Sequence, residues 1–188
     1  MQQRPRVLVP LGSGFEELEA VAPIDLLRRA GCQVVTCSVG SPNPIVGRNR
    51  IRVMADLDLS EAIAEWGHAW DLLLLPGGLS GVEAMEADQR LMAMVAGRLL
   101  SGQLTAAICA APRILARAGL DPDTPITGHP ACRSDLAAFH DYREDAVVQT
   151  DSVITSRGPG TAVAFALVCI ERLCGPDKAR EIQAQIVG

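Results

Sequence analysis

Gly102-Gln-Leu-Thr-Ala-Ala-Ile-Cys-Ala-Ala-Pro-Arg-Ile-Leu115 changes its period at the cysteine. Residues 104–108 are an apolar run of strand length, whereas Ile114 and Leu115, with Ala118 behind them, share one face of a helix. Cys109 therefore sits at a strand-to-helix turn. Pro112 fits the first turn of that helix, where a missing N–H costs nothing. Ala107 and Ala111, two residues either side of the thiol, are small enough for a sharp turn that presents one reactive side chain. A cysteine placed there meets the positive end of a helix, which favours thiolate. The competing reading is a buried thiol that merely closes a core strand.

The rest of the chain repeats the alternation. Residues 6–11 read as a strand that stops at Gly12-Ser-Gly14, and residues 16–30 as a helix with acids first, Arg28-Arg29 last and Gly31 as its cap. Residues 33–39 are a second strand, 40–49 a Pro/Gly/Asn-rich connection, and 51–54 a short hairpin strand. Ser60 is expected to cap a helix ending near Trp66. Residues 71–75 form a strand with no polar alternation, as in a parallel sheet covered on both faces, and it ends in Pro76-Gly-Gly78. Residues 88–100 read as an amphipathic helix. Residues 146–149 and 153–155 read as late strands. Pro159 opens a helix over 162–174 that is apolar nearly all round and so expected to be buried, and a last helix covers 176–186.

This order predicts one domain over residues 1–188, a doubly wound α/β sandwich with a mostly parallel central sheet and helices on both faces. Ligands then bind beyond the carboxyl ends of the strands, where residues 12–19, 76–78, 109–112 and 156–161 converge. The chain carries 17 basic and 22 acidic residues, a formal net charge of −5, which invites neither nucleic acid nor an anionic membrane. Residues 99–112, among the longest charge-free runs, are too few to span a bilayer, and the N-terminus has no signal-peptide core. Six cysteines without a C-x-x-C pair point to free thiols in a reducing cytoplasm.

Several side chains at that rim carry chemistry. Glu16 and Glu19 share a helix face and Glu17 points away, Glu16 and Glu17 being simple dipole partners on the plainer reading. Glu19, among Leu18, Val21 and Ala22, is expected to be partly buried and to hold a proton it can donate to a thiolate. Gly77 and Gly78 read as a tight turn or, with the N–H of Ala110, as an oxyanion hole at Gly78. His129, in a Gly-His-Pro turn, is a candidate base or a structural turn residue, whereas His68 and His140 are expected at the surface. His129-x-x-Cys132 is a weak metal signal with no second pair, so no metal is expected. Cys132 is instead a candidate rim thiol able to resolve an oxidised Cys109. Cys32, Cys37, Cys169 and Cys174 fall on apolar patterns and read as core. Ser156-Arg157-Gly-Pro-Gly-Thr161 is glycine-rich like an anion loop but lacks the lysine and spacing of a Walker loop.

Taken together, Gly14-Phe-Glu-Glu-Leu-Glu-Ala-Val21, Leu75-Pro-Gly-Gly78, Ala106-Ala-Ile-Cys-Ala-Ala-Pro112, Gly128-His-Pro130 and Thr155-Ser-Arg-Gly-Pro-Gly-Thr161 resemble the ThiJ/PfpI superfamily. Within it the chain is similar to the branch of the parkinsonism-associated protein (DJ-one) and its bacterial chaperone/deglycase relatives. The five motifs are collinear from about Arg6 to the last helix. The resemblance implies a flavodoxin-like sandwich, a homodimer, and a site where Glu19 hydrogen-bonds a low-pKa Cys109 with His129 nearby. It further implies a glyoxalase or deglycase acting on small α-oxoaldehydes or early glycation adducts without cofactor, or else an oxidative-stress sensor working through Cys109. Gly77, Arg29 and Arg157 are assigned to binding, Arg29 toward the partner's site, where the family's arginine aligns among Arg48, Asn49 and Arg50. Ala110 stands where protease-like relatives carry a histidine after the cysteine, and no histidine follows His140 as amidotransferases require.

Overall fold

The computed structural model describes residues 4–67, 69–138 and 140–187. The surface expectation for His68 lies outside them. Chain order gives β1 (Arg6–Gly12), α1 (Glu17–Arg29), β2 (Gln33–Val39), β3 (Ile45–Val46), β4 (Arg52–Val53), β5 (Leu57–Asp58), α2 (Leu59–Trp66), β6 (Leu72–Leu75), α3 (Leu79–Ala87) and α4 (Gln89–Leu100). There follow β7 (Thr105–Ile108), α5 (Pro112–Arg117), β8 (Pro125–Ile126), α6 (Arg133–Ala137), β9 (Asp141–Tyr142), β10 (Val147–Gln149), β11 (Val153–Ser156), α7 (Ala162–Cys174) and α8 (Pro176–Gln185).

Seven strands form the central sheet in the order β10-β11-β7-β6-β1-β2-β5. Every neighbouring pair is parallel except β10 with β11. The first crossover runs from β1 outward to β2, and the later strands β6, β7 and β11 build away on the other side. The strand order thus reverses beside β1 and β6, and the loops that follow these two strands part to leave a crevice. β6 is Leu-Leu-Leu-Leu with all four side chains fully buried, because helices cover both faces of a parallel strand. Burying each such leucine contributes about 1.5–3 kcal/mol. One covering layer is α1, α7 and α8, and the other contains α3, α4 and α5.

At the base of the sheet Arg98, only 1% exposed, donates to the carbonyls of Trp70 (2.9 Å) and Leu104 (2.6 Å) and approaches the Thr105 hydroxyl at 3.4 Å. Its fork thereby satisfies the backbone where β6 and β7 begin.

One element is unread in the sequence and three local expectations need correction. The segment between Gly78 and Asp88 is a helix, α3. Gly78 supplies no side-chain cap and Gly81 interrupts the pattern, so its sequence carries no start signal. α2 is capped by Asp58, whose carboxylate accepts from Glu61 N while Glu61 bonds back to Asp58 N, and Ser60 lies inside the helix. α7 turns Phe165, Ala166, Cys169 and Ile170 inward but leaves Val163 44% exposed, so it is not buried on all sides. His140 is buried rather than at the surface, because it shares a cleft with Arg113 and Arg117 of α5, against which α6 packs.

Candidate active site

The site is built on three consecutive parallel strands. β7 delivers Cys109 at its carboxyl end, adjacent β6 delivers Pro76-Gly77-Gly78, and β1 leads into α1 with its acidic first turn. Cys109 adopts φ 67°, a left-handed conformation that costs a non-glycine residue about 1 kcal/mol or more. The surroundings hold it there. Cys109 N donates to Ser156 O at 2.9 Å, continuing the ladder to β11. Its carbonyl accepts from His129 N at 2.8 Å, and Ala111 N closes the turn onto Ile108 O at 3.0 Å. Ala107 and Ala111 are fully buried beside the thiol, and Pro112 occupies the first position of α5. The elbow read from the sequence is present, with the thiol 7% exposed.

Glu19 is fully buried and its carboxyl lies against the Cys109 thiol within hydrogen-bonding reach. Its Oε2 accepts from Gly77 N at 3.0 Å, while Oε1 has no well-aligned partner. Burial raises the Glu19 pKa from 4.5 to about 7. The thiol's hydrogen bond and the charge of Arg48 oppose the rise, and the carboxylate of Glu16 adds to it. Burial also pushes the Cys109 thiol up, as does the negative charge of Glu19, while the N–H groups of Gly78 and Ala110, aimed at the sulfur, pull it down. A helix start alone therefore does not make this thiol acidic, because burial and a carboxylate neighbour outweigh it. The pair passes from two protons to one as the pH rises through about 7. Cys109 is a thiolate when that proton sits on Glu19.

Gly77 is where this closeness is decided. A Cβ on it would stand 2.4 Å from Glu19 Oε2 and 2.6 Å from Cys109 Cβ, so only glycine lets the loop pass between them. Gly78 has φ 88°, and a Cβ there would stand 2.3 Å from Gly14 O.

Glu16 and Glu17 are not solvated dipole partners. Both are 5% exposed. Glu16 caps α1 by accepting from Glu19 N at 2.9 Å. Glu17 receives Asn49 N at 2.7 Å, Asn49 Nδ2 at 2.9 Å and Ile51 N at 3.4 Å. Burial pushes its pKa up, but the N–H donors of Glu17 itself, Asn49 and Ile51 outweigh that and hold it below the ordinary carboxylate value. Glu17 thus locks the turn between β3 and β4 onto α1, a contact no helical period announces.

His129 is half-buried and heads a short 3₁₀ turn, its Nδ1 accepting from Ala131 N at 3.1 Å. That bond leaves the proton of the neutral ring on Nε2, so His129 enters as a donor rather than a base. Gly158 lies between His129 and Glu19. A Cβ there would stand 3.5 Å from His129 Cδ2 and 3.9 Å from Glu19 Oε1, and its φ of 162° is extended backbone. The loop around Arg157 spends its polar groups on itself. Gly158 N donates to Thr161 Oγ1 at 3.1 Å, Ser156 Oγ lies 2.7 Å from Thr161 Oγ1, and Arg157 donates to Glu144 O at 3.0 Å.

Two assigned side chains are placed otherwise than expected. Arg29 pairs with Asp25 at 2.9 Å in the last turn of α1, about 18 Å along the helix from Glu17. Cys132 is 8% exposed, not a rim thiol. α6 packs it against α5, where it feels the charges of Arg113, Asp135 and Glu86, and burial pushes its pKa up. Sequence reading also passed over Glu86. This α3 residue pairs with Arg113 at 3.8 Å and with Arg117, stapling α3 to α5, the two helices that follow Gly78 and Ala110. Among the described residues no three histidines, cysteines or carboxylates gather into a metal-holding group, and no helix is long and apolar enough to cross a membrane.

The DJ-1/PfpI family model matches residues 5–172. "Protein DJ-1 homolog B" of Arabidopsis thaliana is 37% identical over 179 residues, which is 95% of this chain but only 40% of that longer protein. "Glutathione-independent glyoxalase DJR-1.2" of Caenorhabditis elegans is 32% identical over 182 residues, 96% of this chain and 94% of that one. The crystal structure of Drosophila melanogaster DJ-1beta superposes with a TM-score of 0.92 at 33% identity, covering 98% of both chains. On the family match and on likeness along nearly its whole length, the chain belongs to the DJ-1/PfpI family.

Proposed function

We propose that the chain is a cysteine-dependent glyoxalase that converts methylglyoxal and related α-oxoaldehydes to hydroxy acids without glutathione. The observation that carries this reading is the contact within hydrogen-bonding reach between Cys109, strained at φ 67°, and the carboxyl of a buried Glu19 whose pKa is raised to about 7. With the proton on Glu19, the thiolate adds to the aldehyde carbon and gives a hemithioacetal. The N–H groups of Gly78 and Ala110, aimed at the sulfur, lie where the new oxyanion forms. Glu19 gives its proton to that oxygen, and the carboxylate so formed moves a proton from the former aldehyde carbon to the neighbouring carbonyl carbon through an enediol. His129 Nε2–H is the donor to the oxygen. The thioester that results takes up water, releasing lactate and restoring the thiol. The nematode relative named a glutathione-independent glyoxalase supports this assignment. The same addition chemistry extends to early glycation adducts on thiols and amines, a protein deglycase activity.

A second reading is favoured by the same donors. Two N–H groups and a protonatable carboxyl around one sulfur also suit a sulfinate, which would make Cys109 an oxidation sensor and the protein a redox-regulated chaperone. Lactate formation by the fully reduced protein separates the two. Steady turnover that is lost in Cys109→Ser and reduced in Glu19→Gln supports the enzyme. A reduced wild-type protein that forms no lactate overturns it.

The working unit is proposed to be a homodimer in the cytoplasm. Leu18 (60% exposed) and Val21 on α1 stand with Ile51 and Met54 (68%) of the hairpin that Glu17 ties to that helix, an apolar surface suited to a second copy. In that arrangement Arg29 serves the partner's site.

A further inference from the structure

Cys32 and Cys174 lie 142 residues apart in sequence, yet their sulfur atoms are 3.7 Å apart. Cys32 follows Gly31 at the end of α1, where Gly31 N bonds to Arg28 O and Cys32 N to Leu27 O, a Schellman turn. Cys174 is the last residue of α7 and is followed by Gly175 at φ 89°. Each thiol therefore stands at the end of an element beside a left-handed glycine. The sulfurs must close from 3.7 Å to a bond length of about 2.05 Å. Both lie at the amino-terminal edge of the sheet, the pole opposite Cys109.

A cleft of about 390 Å³ opens at the same pole, lined by Arg4, Arg6, Asp71, Arg172 and Leu173 among others. Arg172 and Leu173 immediately precede Cys174, and the charge of Asp71 is felt at Cys32. Three guanidinium groups against one carboxylate make the cleft electropositive. Arg6 Nε in it is buried without a partner.

We propose that Cys32 and Cys174 are a second redox-active thiol pair that closes to an intramolecular disulfide by exchange with an anionic low-molecular-weight disulfide. Cys174, the more exposed of the two, attacks first. Its thiolate bonds to one sulfur of the external disulfide, and the other sulfur leaves as a thiolate. Cys32 then attacks the Cys174 sulfur and expels the remaining external thiolate. Two protein thiols lose two electrons and their protons, and one external disulfide is reduced to two thiols. Burial, and then the neighbouring Cys174, push the Cys32 thiol up to about 12. Cys32 is therefore silent toward bulk reagents, and it is freed of Cys174's charge once that residue is capped. The bond ties the far ends of α1 and α7, the packed pair whose near ends carry Glu19 and follow Gly158.

The test is exposure of the reduced protein to graded ratios of reduced and oxidised glutathione, with non-reducing peptide mapping and thiol counting. The expected result is a Cys32–Cys174 cross-linked peptide, a fall from five to three free thiols in a sample whose Cys109, one of the six cysteines, is protected, and a raised melting temperature. In Cys32→Ser the mixed disulfide on Cys174 is expected to persist, and in Cys174→Ser neither species forms. A wild-type protein that keeps glutathione on Cys174 unresolved, or that cross-links Cys32 to Cys169, overturns the proposal. Cystamine, a cationic disulfide, is expected to react at least tenfold more slowly than oxidised glutathione. Equal rates would overturn the part of the proposal that selects an anionic disulfide through the electropositive cleft.

Discussion

Replacing Glu19 by glutamine removes a buried group whose pKa differs between folded and unfolded chains. The folded value is about 7 and the unfolded one 4.5, so the folded protein binds this proton more tightly. Below pH 4.5 both states are protonated and the carboxyl costs nothing. The cost grows as pH rises from 4.5 to 7 and is complete above that. At ~1.4 kcal/mol per pKa unit the full penalty is about 3 kcal/mol, of which roughly 2.5 falls between pH 5 and pH 8. Glutamine keeps an oxygen to accept from Gly77 N and has no proton to lose. Urea unfolding of wild type and Glu19→Gln at both pH values isolates the effect, because every other titrating group cancels in the double difference. The variant is expected to gain about 2–3 kcal/mol on the wild type between pH 5 and pH 8. In a Cys109→Ala background, where the thiol's opposing hydrogen bond is gone, the gain moves to higher pH. A stability difference that stays flat with pH would show that Glu19 is ionised throughout, and the shared-proton account of the site would fail with it.

Gly77→Ala forces a methyl group to within 2.4–2.6 Å of both reactive side chains. It should cost about 1–3 kcal/mol of stability by urea titration and at least about a hundredfold in kcat/KM, whereas unchanged kinetics would mean the loop gives way freely. Iodoacetamide labelling near neutral pH, read by peptide mass, should modify Cys109, whose sulfur receives the N–H groups of Gly78 and Ala110 and whose proton Glu19 can take, well before Cys132, Cys37 or Cys169, which are as buried and have no such neighbours. Comparable labelling of Cys132 would contradict its packing behind α5. Leu18→Glu with Met54→Glu should convert a dimer to a monomer in sedimentation at micromolar concentration. A wild type that already sediments as a monomer removes the dimer. Glu86→Gln should destabilise by about 1–2 kcal/mol by loosening α3 from α5, and a loss below about 0.3 kcal/mol would reduce its arginine pairs to surface decoration.

The sequence and the structure agree where the signal is local. Leu72–Leu75 and Thr105–Ile108 are continuous apolar strands, Pro112 opens its helix, and the acids before Val21 mark the start of α1. Short-range periodicity and capping suffice for these. What stayed hidden comes from long-range packing. α3 has a glycine where a cap belongs and another inside it, so its existence depends on filling the space between β1 and α4 rather than on propensity. Glu17 reads as a solvated acid because its partners, Asn49 and Ile51, arrive from a hairpin more than thirty residues on. Cys132 and His140 read as surface residues until α6 folds onto α5. The candidate nucleophile and its carboxyl partner were legible as residues, yet the proton they share was not. That depends on a burial and an approach that only the folded chain supplies.

Gly158 gives the site an adjustable dimension. Gly77 admits nothing, but a methyl group at 158 would meet His129 and Glu19 at 3.5 Å and 3.9 Å, in ordinary contact, on backbone that any residue can adopt. One position thus gauges the size of what reaches the thiol, while a different one holds the reacting groups together. Alanine at 158 trims the space beside Glu19 by a single methyl and leaves the Cys109–Glu19 distance alone. Bulky aldehydes are excluded first and methylglyoxal last. Substrate range and chemistry are therefore written at separate addresses in this chain, and one can drift or be engineered while the other is kept.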